Sequence, residues 1–208
     1  MLTSDQNRKI NEIVEEFKEA ADFYRMEYSE DLMGMFRDFG CMLLLKCKVD
    51  TEGKADLERL LEGRHKLKGT VKRQLMTVSE ELAQLWAPGE QDGSGDTGEY
   101  EGSQNVREMF QTALEEIFHF CLYSKGGKNR YLLPEETAKP LLRLLTFPEG
   151  MMAGNEGLVV LDTQCGAGSA LMAASRYLKN LRLMGYEKDE EMWAAAVIMS
   201  QLSGLEME

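Results

Sequence analysis

Hydrophobic and polar residues alternate with a helical period through the first part of the chain. Up to Trp86, apolar residues recur at intervals of three and four, as on one face of a helix. Thr3 or Ser4 is the expected cap of the first helix, and Ser29 that of the second. Two further helical segments, KADLERLLEG and LKGTVKRQLMTVSEELAQLW, complete a predicted helical bundle over residues 1–86. The predicted inward positions are Ile10, Val14, Phe17, Ala21, Tyr24, Leu32, Met35, Phe36, Phe39, Met42 and Leu43.

An acidic segment rich in glycine and serine follows the bundle. Residues 87–103, APGEQDGSGDTGEYEGS, show no apolar period and predict a linker before a further region, 104–208. That region begins with the helix QNVREMFQTALEEIFHFCLY, in which we interpret His119 as a packed or half-exposed residue rather than a catalytic one. A further helix is predicted from Pro134, since proline suits a first helical turn, with strain or a kink at Pro140.

The period changes again in the last part of the chain. GLVVLD and RLMGYE are short apolar runs typical of buried strands, and each precedes a helical pattern. Strand, helix, strand, helix predicts a partial Rossmann-like βαβα segment with parallel strands. The predicted fold class is therefore mainly α, with an N-terminal helical bundle and a C-terminal α/β unit.

Composition is that of a soluble globular protein. Of the 208 residues, 43% are hydrophobic and 29% charged. The start is polar, and no apolar run approaches the roughly 18 residues that cross a bilayer, so we expect no membrane association. The cysteines Cys41, Cys47, Cys121 and Cys165 lack disulfide-scaffold or zinc-site spacing. Reduced thiols and a cytoplasmic location are the corresponding expectation.

The net charge of −12 argues against a general attraction to nucleic acid. One window departs from this balance: RHKLKGTVKR holds five Lys or Arg residues and no acid. Its cations are candidate nucleic-acid contacts, and a solvated helix face is the other interpretation. These cations are Arg64, Lys66, Lys68, Lys72 and Arg73.

The turn between the first predicted strand and its helix carries the candidate chemistry. Gly166 and Gly168 follow the strand, where glycines let the backbone approach a ligand closely. Glu187 ends the second strand, where a carboxylate can accept both hydroxyls of a ribose. The pattern favours a nucleoside-bearing ligand, with a tight structural turn as the alternative. Leu171 stands where a dinucleotide fingerprint needs Gly or Ala, and no P-loop occurs, so NAD and P-loop phosphate binding are disfavoured.

Three motifs in order carry a family resemblance. LDTQCGAGSALMAA resembles the first motif, D-P-x-C-G-[ST]-G-x-[FL], of the S-adenosylmethionine-dependent adenine-N6 DNA methyltransferases related to type I restriction-modification methylase subunits. RYLLPEETAKPLLRLL resembles the Y-x-T-P segment and apolar helix that precede it. LMGYEKDEEMWAAAVIMSQLSG resembles the strand end G-x-E and the helix after it. The matched positions are Tyr131, Pro134, Asp162, Cys165, Gly166, Gly168, Leu171, Gly185, Glu187, Ala196, Leu202 and Gly204.

The resemblance implies that the chain binds S-adenosylmethionine. Asp162, Gly166 and Gly168 would lie on the methionine and backbone side of the cofactor. Glu187 would hold the ribose hydroxyls, and Tyr131 would line the pocket. The candidate cofactor-binding residues are Tyr131, Asp162, Cys165, Gly166, Gly168 and Glu187.

Four positions depart from the family's motifs. Leu133 replaces a threonine, Thr163 a proline, Ala167 a serine or threonine, and Met199 an asparagine. These changes would loosen cofactor binding without forbidding it.

The sequence also lacks the family's adenine-binding tetrapeptide, [ND]-P-P-[FY], because it contains no Pro-Pro pair. We assign no catalytic residue and expect the chain alone to transfer no methyl group. Two parallel strands leave apolar faces and edges unburied, so we expect a homodimer or a partner subunit. The chain would then be the front portion of a longer enzyme or a shortened relative, with DNA bound through additional domains or subunits. The alternative is a non-catalytic interaction module in which the βαβ segment is a scaffold.

Overall fold

The computed structural model divides into two compact units, Met1–Lys128 and Asn129–Glu208. It describes residues 2–28, 31–50, 54–62, 67–86, 97–124, 137, 140, 158–177, 181–205 and 207. The first unit contains α1 (Ser4–Glu27), α2 (Leu32–Lys46), α3 (Ala55–Glu62), α4 (Gly69–Ala83) and α5 (Thr97–Leu122). The second contains β1 (Leu158–Asp162), α6 (Ser169–Tyr177), β2 (Leu181–Gly185) and α7 (Glu190–Leu202). The described part of the chain is therefore mostly helical, with two strands.

Side-chain caps begin the first two helices. At α1, Thr3 Oγ1 accepts a hydrogen bond from the Gln6 N–H (3.3 Å), while Gln6 Oε1 accepts one from the Thr3 N–H (2.8 Å). At α2 the cap is Asp31, whose Oδ1 accepts from the Met33 N–H at 3.0 Å. The prediction that Ser29 caps α2 was wrong. Asp31 suits the position because its carboxylate also places negative charge at the positive end of the helix.

Aromatic rings fill the core of the first unit. The ring of Phe17 lies edge-on to two others, with centroid distances of 5.0 Å to Phe39 and 6.4 Å to Phe120. The ring centroids of Phe36 and Phe118 are 5.1 Å apart. Because α2 contacts α1, α4 and α5, its buried residues extend around much of the helix. The predicted inward positions of α1 and α2 are buried, except that Met42 is half-buried.

Helix α5 begins earlier than predicted and belongs to the first unit. It starts at Thr97, so residues 97–103 of the predicted linker are helical, while residues 87–96 lie outside the described residues. An existing helix extends by one residue at a time, without the cost of forming a new first turn. It can therefore extend through this segment although each glycine costs about 1 kcal/mol relative to alanine. Since α5 packs on α1 and α2, the division between units falls after Lys128 rather than at the predicted start of 104–208.

The second unit is built on a parallel strand pair. β1 and β2 run in register from Leu158 opposite Leu181 to Asp162 opposite Gly185, which confirms the predicted parallel pairing. Leu183 also forms a parallel bridge with Met207. Because Leu183 already pairs with Val160 on one side, this bridge lies on the other edge of β2. Helix α6 covers one face of the pair, where the buried core is Leu171, Ala173, Ala174 and Leu183.

Membrane spans, metal sites, the cysteines and the helix predicted from Pro134 can be compared with the described residues. Within the described ranges, no helix is both long and apolar enough to cross a membrane. No group of His, Cys, Asp or Glu side chains there could hold a metal ion, and the four cysteines are free thiols. The helix predicted from Pro134 falls outside the described residues apart from Thr137 and Pro140, which are helical.

The aromatic core generates a stability prediction. Replacing Phe17 with alanine removes a fully buried ring and should lower the free energy of unfolding by about 3–5 kcal/mol. Met26→Ala on the same helix is the control, because Met26 is 75% exposed and should change stability little. Urea unfolding of both variants measures the difference. An equal loss in the two variants would contradict the assigned core.

Candidate functional site

Backbone hydrogen bonds join the turn after β1 to the end of β2. The Tyr186 N–H donates to the Asp162 carbonyl oxygen at 2.9 Å, and the Cys165 N–H donates to the Tyr186 carbonyl oxygen at 3.0 Å. The Asp162 side chain also shapes the turn, because Oδ1 accepts from the Gln164 N–H at 3.0 Å. The segment from Asp162 to Gly168 is thereby held against residues 185–187.

Gly166 and Glu187 meet at this edge of the sheet. Gly166 has a φ of 56°, a left-handed conformation that glycine adopts without steric cost. Its N–H donates to Glu187 Oε2 at 2.9 Å, across 21 residues of sequence. Glu187 Oε1 accepts from the N–H groups of Lys188 and Asp189, each at 2.8 Å. Three backbone donors therefore fix the position of this half-buried carboxylate.

Gly168 packs against the interior of the second unit. Its φ is 79°, and a Cβ placed there would lie 3.0 Å from Met207 Cε and 3.6 Å from Ala196 Cβ. The residue is buried, so an added side chain would press on the protein's own interior rather than on open space. The structure therefore gives Gly168 a packing and backbone requirement, and its contact with a ligand stays a prediction.

Gly185 is a close-approach position that sequence reasoning noted only as a motif match. A Cβ there would lie 2.8 Å from Cys165 Sγ and 3.1 Å from Leu171 Cδ1. Real Cβ atoms essentially never approach that closely, so the absence of a side chain lets the turn lie against β2. A glycine inside a strand pattern was the available signal.

The Cys165 thiol is a packing group. Burial, together with the negative charges of Asp162 and Glu187, raises its pKa to about 11, and a backbone hydrogen bond offsets part of this rise. A thiol with this pKa is protonated at neutral pH and is a poor nucleophile. Its sulfur lies where a Gly185 Cβ would be, and a contact of Cys165 with a cofactor stays a prediction.

The charges around the turn restrict its ligands. Asp162 and Glu187 both act electrostatically on Cys165, so two carboxylates lie near the same thiol. Negative charge favours hydroxyl or cationic groups on a ligand and disfavours phosphate. The Gly166 N–H, which could otherwise bind an anion, already donates to Glu187. This agrees with the exclusion of phosphate-cradling motifs from the sequence.

The predicted site residues divide into three groups. Asp162, Cys165, Gly166, Gly168 and Glu187 lie together in and beside the turn. Tyr131, Arg64 and Lys66 fall outside the described residues. Lys68, Lys72 and Arg73 are exposed at the start of α4 in the first unit, where a nucleic-acid contact stays a prediction.

Comparison with known proteins gives a likeness in fold. No family model and no curated protein matches the sequence. A Listeria monocytogenes crystal structure, assigned as a class I S-adenosylmethionine-dependent methyltransferase, matches with a TM-score of 0.54 and 15% identity, covering 97% of this chain and 52% of that one. A type I restriction-modification methyltransferase subunit from Streptococcus thermophilus matches with a TM-score of 0.46 and 15% identity, covering 95% and 57%.

The chain thus spans about half the length of either solved structure, at 52% and 57%. The first likeness shows that the chain has a fold similar to part of a class I methyltransferase.

The contact between Gly185 and Cys165 can be tested by a double-mutant cycle. Gly185→Ala should lower the free energy of unfolding by about 1–3 kcal/mol, because the new methyl group overpacks the turn. Cys165→Ala removes the Sγ atom and should recover part of that loss in the double variant. The measured coupling should exceed about 0.5 kcal/mol in urea unfolding. Additive single effects would show that the two residues do not collide.

Proposed function

We propose that this chain binds S-adenosylmethionine at the turn Asp162–Gly168, with Glu187 on the ribose hydroxyls. The observation that carries the proposal is the meeting of the Gly166 N–H and the Glu187 carboxylate, 2.9 Å apart, at the shared carboxyl edge of two parallel strands. Ligands of open α/β sheets bind at that edge. The fold likeness to an S-adenosylmethionine-dependent methyltransferase supports the choice of cofactor.

The chemistry of the residues fits this cofactor. S-adenosylmethionine carries a sulfonium, an ammonium and a ribose diol, which are the cationic and hydroxyl groups that neighbouring carboxylates favour. Glu187 would accept the diol, and Asp162 and Gly166 would lie on the methionine side. When bound, the cofactor supplies an electrophilic methyl group, while the protein supplies position and electrostatics. Gly168 contributes by holding the turn against Ala196 and Met207.

The finer proposal is that the chain corresponds to the cofactor-binding front half of an adenine-N6 DNA methyltransferase of the restriction-modification type. The resemblance of the three sequence motifs supports it. The absent [ND]-P-P-[FY] tetrapeptide and the net charge of −12 imply that adenine and DNA are bound through additional domains or subunits. By itself the chain would then transfer no methyl group, and incorporation of labelled methyl into adenine-containing DNA by the purified chain would contradict this.

Cofactor binding is tested by calorimetry with S-adenosylhomocysteine, the demethylated product. The wild type should bind with a Kd below about 1 mM, and Glu187→Ala should weaken binding at least about tenfold, because each hydrogen bond to a charged group contributes about 1.5–3 kcal/mol. Glu190→Ala removes the same charge from the exposed first turn of α7 and should bind like the wild type.

Two results would reject the cofactor assignment. One is a wild type that shows no binding at millimolar ligand, and the other is a folded Glu187→Ala variant that binds equally well. In either case the second candidate function, a non-catalytic interaction module, takes its place. The observation that favours this module is that Glu187 accepts three hydrogen bonds from the protein's own backbone.

We also propose that the sheet face opposite α6 lies against a second copy of the chain or a partner subunit. Val159 and Leu161 alternate with Val160 on β1 and are 46% and 53% exposed. In register beside Leu161 is the half-buried Met184 of β2. Exposed apolar strand faces are typical association sites.

Association is measured by light scattering at roughly micromolar concentration and above. We expect a dimer, or a larger complex with a partner, and Leu161→Lys should shift the wild-type assembly toward monomer by placing a charge on the apolar face. Leu45→Lys is the matched control, because Leu45 is 52% exposed on α2. A stable wild-type monomer that also fails to retain any partner subunit would count against the proposal.

A further inference from the structure

The Glu187 carboxylate has little capacity left for a ligand diol. A carboxylate offers about four lone-pair positions on its two oxygens. Oε1 accepts two backbone N–H groups and Oε2 accepts a third. Two hydroxyl donors would therefore need one more acceptor position than remains. Accepting both requires that one of the three backbone N–H groups leave the carboxylate.

The geometry indicates which N–H group leaves. Lys188 and Asp189 are one and two positions from Glu187, so their bonds belong to the local turn that begins α7. Gly166 is 21 positions away, and its bond to Oε2 is the only one of the three that joins separate segments. A glycine peptide can also reorient more freely than one with a side chain. The Gly166 N–H is therefore the donor that can be exchanged.

A released Gly166 N–H would itself need an acceptor. The residue is half-buried, and a backbone donor removed from both water and protein acceptors is unfavourable. A ligand hydroxyl that donates to Glu187 keeps its own lone pairs, so its oxygen can accept this N–H when it lies beside the turn. A ligand that also brings a carboxylate or another acceptor beside the turn satisfies it.

We propose that Gly166 and Glu187 form an exchange pair: a ligand diol takes Glu187 Oε2, and the Gly166 N–H passes to an acceptor on the same ligand. This inference rests on the proposed function and adds a selection rule to it. The site selects molecules with neighbouring hydroxyls, and a carboxylate beside the turn strengthens binding because it is a charged acceptor for the released N–H. Because Glu187 keeps the Lys188 and Asp189 N–H groups throughout, it remains aimed at the turn while its other partner changes.

The amide proton of Gly166 reports the exchange. In the ligand-free full chain labelled with ¹⁵N, Glu187→Gln should move this proton upfield, because a charged acceptor is replaced by a neutral one. Glu190→Gln is the control and should leave it in place. The amide protons of Lys188 and Asp189 donate to the same carboxylate and should move upfield together with that of Gly166.

Ligand titrations then test the exchange itself. S-adenosylhomocysteine should shift the Gly166 amide strongly and leave the Lys188 and Asp189 amides nearly unchanged. Adenosine, which has the diol but lacks the amino-acid carboxylate, should bind at least about tenfold more weakly than S-adenosylhomocysteine. 2′,3′-Dideoxyadenosine lacks the diol. Even at concentrations at which it is bound, it should leave the Gly166 amide signal where it is before ligand is added.

The outcomes separate this inference from the cofactor assignment. If calorimetry shows S-adenosylhomocysteine binding while the Gly166 amide stays unchanged, the exchange is wrong and the cofactor proposal stands. If the Lys188 or Asp189 amide moves in place of Gly166, the assignment of the exchanged donor is overturned. If S-adenosylhomocysteine does not bind, both proposals fail.

Discussion

The register of the two parallel strands is the constraint on which the candidate site depends. Asp162 pairs opposite Gly185, so the residues that follow each strand leave the sheet at the same edge. Hydrogen bonds from the Tyr186 and Cys165 N–H groups then join the two segments that follow the strands. A slip of one residue would turn every side chain of β1 to the other face and would move Glu187 away from Gly166. The pairing of Gly166 with Glu187 is thus a consequence of β-sheet geometry.

Three glycines serve this arrangement for three separate reasons. Gly185 has no side chain because Cys165 occupies that space, and Gly168 combines a left-handed backbone with packing against Ala196. Only Gly166 uses its conformation to direct a backbone donor at a carboxylate. A glycine-bearing turn after a strand is therefore weak evidence for a ligand until the direction of each missing Cβ is known.

Local patterns in the sequence predict the elements well because they depend on neighbouring residues. The apolar period of α1, its Thr3 cap and the parallel pairing of β1 with β2 are confirmed. The cap of α2 and the start of α5 were missed, because several polar residues compete for a cap and because helices extend cooperatively past weak formers.

The details of the site depend on contacts between distant residues. The collision of a Gly185 Cβ with Cys165 Sγ and the three hydrogen bonds of Glu187 arise only after the strands are aligned. Motif spacing brought Gly166 and Glu187 to attention as separate ligand groups, but it carries no information on whether they bond to each other. The side chain that a motif assigns to a ligand can thus be satisfied by the protein first.

The acidic character of the chain bears differently on its two proposed ligands. The net charge of −12 repels the phosphates of DNA. The attraction of phosphate to the three exposed cations at the start of α4 has to overcome this repulsion. At the turn, the same sign of charge favours a ligand with a sulfonium and an ammonium group. Asp162 and Glu187 raise the pKa of the Cys165 thiol, which places their negative charge where such a ligand would lie. Charge therefore supports the proposed cofactor as a ligand of this chain, and under the same proposal DNA would be bound through other domains or subunits.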